Sequence, residues 1–279
     1  MALWRPRVRG DAAPRSSPMT AVDFTAFVDR LAAASGEAIL PFFRTSIGVE
    51  DKGHGGGFDP VTAADKAGES VMRALIRETF PEHGIVGEEH GDDRTDAEFV
   101  WVLDPIDGTR SFILGMPIWG TLIGLTRGGA PCFGLMNQPF VGERFFGDGA
   151  SASYAGRGGQ RRLRTRPCAR IEDALMMSTS PTMFTAEERA TFDAVSGDAK
   201  LTRWGADCYG YAMLAAGHVD LVIEADLKPF DIVALIPIVE GAGGVVTTWD
   251  GGPATDGGRI IAAGDKRLHA LALERLARG

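Results

Sequence analysis

Phe99-Val100-Trp101-Val102-Leu103-Asp104-Pro105-Ile106-Asp107-Gly108-Thr109-Arg110-Ser111-Phe112 is the stretch on which the fold of this chain turns. The apolar run from Phe99 to Leu103 reads as a buried strand that stops at Asp104-Pro105, and Asp107-Gly108-Thr109 then opens a helix. Two carboxylates three residues apart at the mouth of a strand, backed by Gly-Thr, can hold a divalent cation and turn amide N–H groups toward a phosphate. The same residues also fit a strand followed by an Asp-capped helix, which needs only one Asp.

Around this stretch the chain is that of a folded globular protein. Its 279 residues, 44% hydrophobic and 24% charged, suffice for one large domain or two coupled halves. A net charge of -8 argues against a nucleic-acid partner but not against a small phosphate ester, because metal ions can supply positive charge. Cys132, Cys168 and Cys208 form no CxxC pair, so neither a zinc site nor a disulfide framework is indicated, and a reducing, cytoplasmic compartment follows. No apolar run reaches the ~18 residues of a membrane span. Residues 1–19, rich in Arg and Pro, lack the apolar core of a secretory signal and read as a flexible leader, or as an over-called start with Met19 as initiator.

Upstream of the strand, residues 21–43 carry an apolar face at helical spacing, and Ile47 to Glu50 begins a short strand. Lys52-Gly53-His54-Gly55-Gly56-Gly57 is a mobile flap over a site or a flexible hairpin tip. A second helix spans about residues 63–80; Asp65 and Glu69 share its first-turn face, where acidic residues serve as dipole partners. Ile85-Val86-Gly87 is a short strand ending in Glu88-Glu89. Downstream, residues 118–126, 131–138, 143–147 and 151–154 fit an antiparallel meander. The basic stretch Arg157 to Arg166 reads as an exposed loop and as the boundary between an N-terminal α+β half (20–155) and a C-terminal α/β half (156–279). That second half alternates strands and helices. Glu224-Ala225-Asp226-Leu227-Lys228-Pro229-Phe230-Asp231 joins a buried strand to one apolar helix over 230–242, with Asp231 as a helix cap or a third site carboxylate.

Three of these segments, in order, resemble the inositol monophosphatase superfamily of magnesium-dependent phosphatases: Gly87-Glu88-Glu89, Asp104-Pro105-Ile106-Asp107-Gly108-Thr109, and Phe230-Asp231 running to Gly243-Gly244. Asp59-Pro60-Val61-Thr62-Ala63-Ala64-Asp65 matches a fourth family segment, and the likeness covers residues 21–275. Within the superfamily, Trp119-Gly120-Thr121, Asn137-Gln138-Pro139, Glu143-Arg144 and Gly205-Ala206-Asp207-Cys208-Tyr209 resemble the bacterial histidinol-phosphate phosphatases most. One departure is Phe230, where Trp or Tyr is commoner.

The resemblance implies an α/β (α+β) fold, a layered α-β-α-β-α sandwich with the site between the halves, and a homodimer. It implies two or three Mg²⁺ ions, with Mn²⁺ as a substitute. Glu88, Asp104, the Ile106 carbonyl and Thr109 would surround one metal; Asp104, Asp107 and Asp231 would hold another. The amides of Gly108 and Thr109 would cradle the phosphate. A metal-bound water would attack phosphorus, with Glu88 and Thr109 taking its proton and Asp65 accepting a hydrogen bond from the Thr109 hydroxyl. Asp207 and Glu224, with Asp107 and Asp231, would face the leaving group, and two acids beside a cationic amine and imidazole favour histidinol phosphate. Asp207 can also simply cap the next helix. The alternatives are inositol 1-phosphate, a 3′-phosphoadenosine nucleotide, and a non-enzymatic homologue, against which the clustered carboxylates argue.

Overall fold

The computed structural model describes residues 21–45, 49–51 and 60–278. The leader, the whole glycine-rich segment 52–57 and Asp59 lie outside the described residues, and with them the flap expectation. A short antiparallel pair joins β1 (Val49–Asp51) to β2 (Pro60–Thr62).

The first large sheet has seven strands in sequence order: β3 (Gly84–Gly87), β4 (Phe99–Asp107), β5 (Gly120–Arg127), β6 (Ala130–Gln138), β7 (Glu143–Gly147), β8 (Ala152–Gly156) and β9 (Gly159–Arg162). Only β3 and β4 are parallel; the rest is a meander of hairpins. β9 corrects the expected basic loop: four of its residues pair with β8 and form the exposed edge of this sheet, where arginines discourage further pairing. The second sheet holds β10 (Leu175–Ser178), β11 (Leu201–Trp204), β12 (Leu221–Leu227), β13 (Val245–Thr248) and β14 (Gly258–Ala263) in the order β11-β10-β12-β14-β13.

Alternation of side chains along the strands sorts the apolar residues into layers. On β5, Ile123 and Leu125 face α1 (Ala21–Ile39) and α2 (Ala63–Thr79), together with Leu31, Met72, Ile76 and Trp101. Leu122, between them in sequence, points the other way, into a core shared with α5 (Cys208–Ala215) and α7 (Leu235–Gly241). Val222 of β12 joins that same core, whereas Leu221 and Ile223 face α4 (Ala186–Ser196) and α8 (Lys266–Leu276). The layers are therefore α1/α2, sheet, α5/α7, sheet, α4/α8, the five-layer α-β-α-β-α sandwich expected.

Two departures from the expected elements build the site. The helix predicted over 230–242 is broken into α6 (Pro229–Ile232) and α7, and the break rests on the first sheet. A Cβ on Gly124 would lie 2.8 Å from Val233, and a Cβ on Gly134 or Gly147 would overlap the Ala234 or Pro237 carbonyl. These bare strand positions let the helix backbone lie directly on the sheet, which carries Asp231 to the end of β4. The second departure is that β4 does not stop at Leu103 but runs to Asp107 through a bulge: Asp104 pairs with Leu122 and Asp107 with Gly120, three steps on one strand against two on the other. In a regular strand residues 104 and 107 would point to opposite faces; the extra residue resets the alternation and brings both carboxylates to one side.

Candidate active site

Asp104, Asp107 and Asp231 each offer a carboxylate oxygen, and those oxygens lie within 4.8 Å of one another. Each carboxylate is aimed by one backbone N–H. Ile106 N–H donates to Asp104 Oδ1 (2.9 Å), Cys208 N–H to Asp107 Oδ2 (2.6 Å) and Lys228 N–H to Asp231 Oδ2 (2.6 Å). Asp231 is thus the third residue of α6, bonding back to the residue before the helix, and not the cap itself.

Electrostatically the cluster is unfavourable by itself. Burial, then the charges of Glu88, Asp107, Asp231 and Asp65, hold the Asp104 carboxyl well above the usual carboxylate range. Burial, then Asp207 and Asp231, does the same to Asp107, and burial lifts Asp231 to about 7 despite the Lys228 N–H bond. Hard oxygen donors in mutual repulsion, pre-aimed by backbone, are the donor set a divalent cation relieves, so the residues present fit a hard metal ion. Glu88 does not join the three-carboxylate group; it lines the cavity of about 420 Å³ above it, with Gly108, Thr109, Arg110, Lys228 and Asp231.

The turn after β4 is fixed locally. Gly108 has φ +86°, and a Cβ there would sit 3.2 Å from the Asp207 side chain, so only glycine fits. The Thr109 hydroxyl donates to the Ile106 carbonyl at 3.0 Å, so the side chain is held by its own turn. Ile106 itself buries its side chain beside Phe112 and Trp119. Asp65 lies on the first turn of α2, 2% exposed.

Behind the cluster a smaller pocket of about 110 Å³ is lined by Asp107, Thr179, Asp207, Cys208, Tyr211, Glu224 and Asp231, among others. Glu224 is 2% exposed and accepts from Thr179 N–H (2.8 Å), the Thr179 hydroxyl (2.6 Å) and the Tyr211 hydroxyl (3.0 Å). Burial raises its carboxyl to about 7 against those bonds. The Asp207 side chain does not cap α5, which begins at Cys208; its Oδ2 accepts from the Ser111 hydroxyl at 3.1 Å, and its N–H donates to Thr179 Oγ1 at 3.0 Å. Thr179 therefore ties the two acids together. Sequence reading missed it, although a polar Ser-Thr-Ser after a parallel strand is where ligands gather in α/β sheets.

Asp207 also has φ 46° and ψ -141°, a conformation that suits glycine. Asp207→Gly is expected to raise the melting temperature by relieving about 1 kcal/mol or more of strain, while raising KM for a cationic ester. A thermal melt and a KM determination on the same preparation check both; a lower melting temperature would remove the strain argument.

The sequence profile of the inositol monophosphatase family matches residues 20–278. The bifunctional phosphatase IMPL2 of Arabidopsis thaliana chloroplasts is 40% identical, over 98% of this chain and 80% of that protein. A histidinol-phosphatase from Streptomyces coelicolor is 36% identical, over 75% of this chain and 81% of its own length. An inositol monophosphatase structure from Zymomonas mobilis superposes with a TM-score of 0.82 at 41% identity, covering 92% of this chain and 98% of the other.

Proposed function

This chain belongs to the inositol monophosphatase family and is a phosphatase of that family, and we propose that its substrate is histidinol phosphate and its metal Mg²⁺. The observation that carries the reading is the pairing of the three-carboxylate cluster with a second acidic pocket immediately behind it. The first suits phosphate and metal; the second suits a cationic leaving group.

Asp104, Asp107 and Asp231 would hold the cation, with Glu88 and the Ile106 carbonyl beside them. Bound there, Mg²⁺ would neutralise phosphoryl oxygens and make a water more acidic. The chain's own groups do the rest. Gly108 and Thr109 present backbone N–H groups to the phosphate. Glu88 takes the proton of the water, which the Thr109 hydroxyl orients, with Asp65 behind them. The water oxygen bonds to phosphorus, the bond from phosphorus to the ester oxygen breaks, and that oxygen leaves as histidinol after taking up a proton. Asp207 and Glu224 receive the amine and imidazole. No helix among the described residues is long and apolar enough to cross a membrane, and we place the enzyme in the cytoplasm, as a homodimer.

Inositol 1-phosphate is the second reading, favoured by the fact that both Glu224 oxygens already accept hydrogen bonds and so can face hydroxyls as well as cations. A rate comparison decides. In Mg²⁺, kcat/KM for histidinol phosphate is expected to exceed that for inositol 1-phosphate and for adenosine 3′,5′-bisphosphate by about a hundredfold, the size of two or three kcal/mol in pocket contacts. Equal or reversed rates would transfer the assignment to the faster substrate.

A further inference from the structure

The glutamate at the mouth of the site, Glu88, sits on a turn built around a buried ion pair that the chemistry above does not use. Glu69 of α2 is fully buried, and Arg73, one helical turn on, is 4% exposed. Arg73 Nε donates to Glu69 Oε1 at 2.6 Å. The same carboxylate accepts the backbone N–H of Glu89 (2.7 Å, to Oε2) and of His90 (3.2 Å, to Oε1). The guanidinium reaches onward from Nη2 to the Gly91 carbonyl. At Gly87 the chain passes so close that a Cβ would overlap Glu69 Oε1 and lie 2.7 Å from Arg73 Nη2. Residues on both sides of Glu88 are therefore anchored to one pair of side chains. Its own backbone N–H donates to the Leu103 carbonyl at 3.4 Å.

A surface dipole partner, the sequence expectation for Glu69, would not be buried or ion-paired. Nor is stability a sufficient reason for such a pair, because buried ion pairs are commonly replaceable by apolar side chains of similar volume at little cost. What the pair does is fix a turn whose height decides how close the Glu88 carboxylate comes to Asp104, near enough already for its charge to act there.

We propose that Glu69 and Arg73 are positioning residues that set Glu88 against the metal cluster, which rests on the metal-phosphatase reading above. Their effect passes through the 87–91 backbone, and neither side chain touches substrate.

The test uses two variants of the full chain. In Glu69→Gln the new NH₂ group faces the N–H donors of the turn and of Arg73. In Glu69→Leu/Arg73→Met the pair is replaced by apolar bulk, which preserves packing. Both are expected to raise the Mn²⁺ dissociation constant, measured by titration calorimetry, about tenfold or more. Hydrogen exchange at the Glu89 and His90 amides should accelerate, and the double variant should keep its melting temperature. A folded double variant with wild-type Mn²⁺ affinity would overturn the proposal. Wild-type protein that binds no Mn²⁺ would overturn the metal reading beneath it, a result separable from the first because it needs no variant. Should neither variant fold, exchange in the wild-type protein still decides: Glu89 and His90 amides exchanging at free-chain rates would also overturn it.

Discussion

Asp104→Asn is expected to lower kcat by about a thousandfold or more, because one central oxygen donor and its charge are lost where phosphoryl charge must be neutralised. The same substitution is expected to raise the melting temperature in EDTA. Asn keeps the Oδ1 acceptor that the Ile106 N–H uses, so the bulged turn survives. It also removes a buried charge that lies within reach of Glu88, Asp107, Asp231 and Asp65. A gain on the order of 1 kcal/mol in the metal-free protein is the expected size. Activity assays in Mg²⁺ and paired melts with and without chelator measure both halves. Near-normal activity would show that the cluster is not the metal site; a lower melting temperature in EDTA would show that Asp104 is not repelled.

The second large effect is a reversal of the ordinary pH dependence in the metal-free protein. Glu224 and Asp231 are held at about 7 by burial, against about 4 in an unfolded chain. Between those values the folded state binds more protons than the unfolded state, so stability falls as pH rises. The penalty is absent below about pH 4 and complete above about pH 7, and each group contributes up to about 4 kcal/mol. A divalent cation such as Mg²⁺ would bind only the ionised cluster, so its stabilising effect should grow over the same range. Melting curves in EDTA should therefore decline from about pH 4 to about pH 7, and added Mg²⁺ should flatten or reverse that decline. A melting temperature that climbs with pH in EDTA would mean that these carboxyls are not buried as charged groups.

Much of the architecture was readable before any coordinates. β7 falls on the predicted residues, and β5, β6 and β8 lie within two residues of theirs, because each is a short periodic run bounded by Gly, Pro or polar turns. The three site carboxylates were legible because acids at the ends of apolar strands have few structural reasons to be there. What was not legible depends on partners distant in sequence. The bulge in β4 exists only relative to the register of β5. The break between α6 and α7 follows from the glycine bed of another sheet. Thr179 matters because β10 lies beside β12, which carries Glu224. Glu69 looked like any first-turn acid until β3 closed over it.

The bare backbone that Gly124, Gly134 and Gly147 offer to the 233–238 segment also sets a timetable for a chain made from its N-terminus. When residues 84–162 have left the ribosome, the first sheet can pair completely, with Asp104 and Asp107 in place. Its inner face is still a strip of uncovered peptide, and the third carboxylate has not been synthesised. Only when Asp231 and α7 emerge does one docking event cover that strip and bring the third carboxylate to the other two. If the proposed function holds, a nascent chain that ends before Asp231 has the turn that would face phosphate but lacks the third carboxylate, and hydrolytic activity is expected only after α7 has docked.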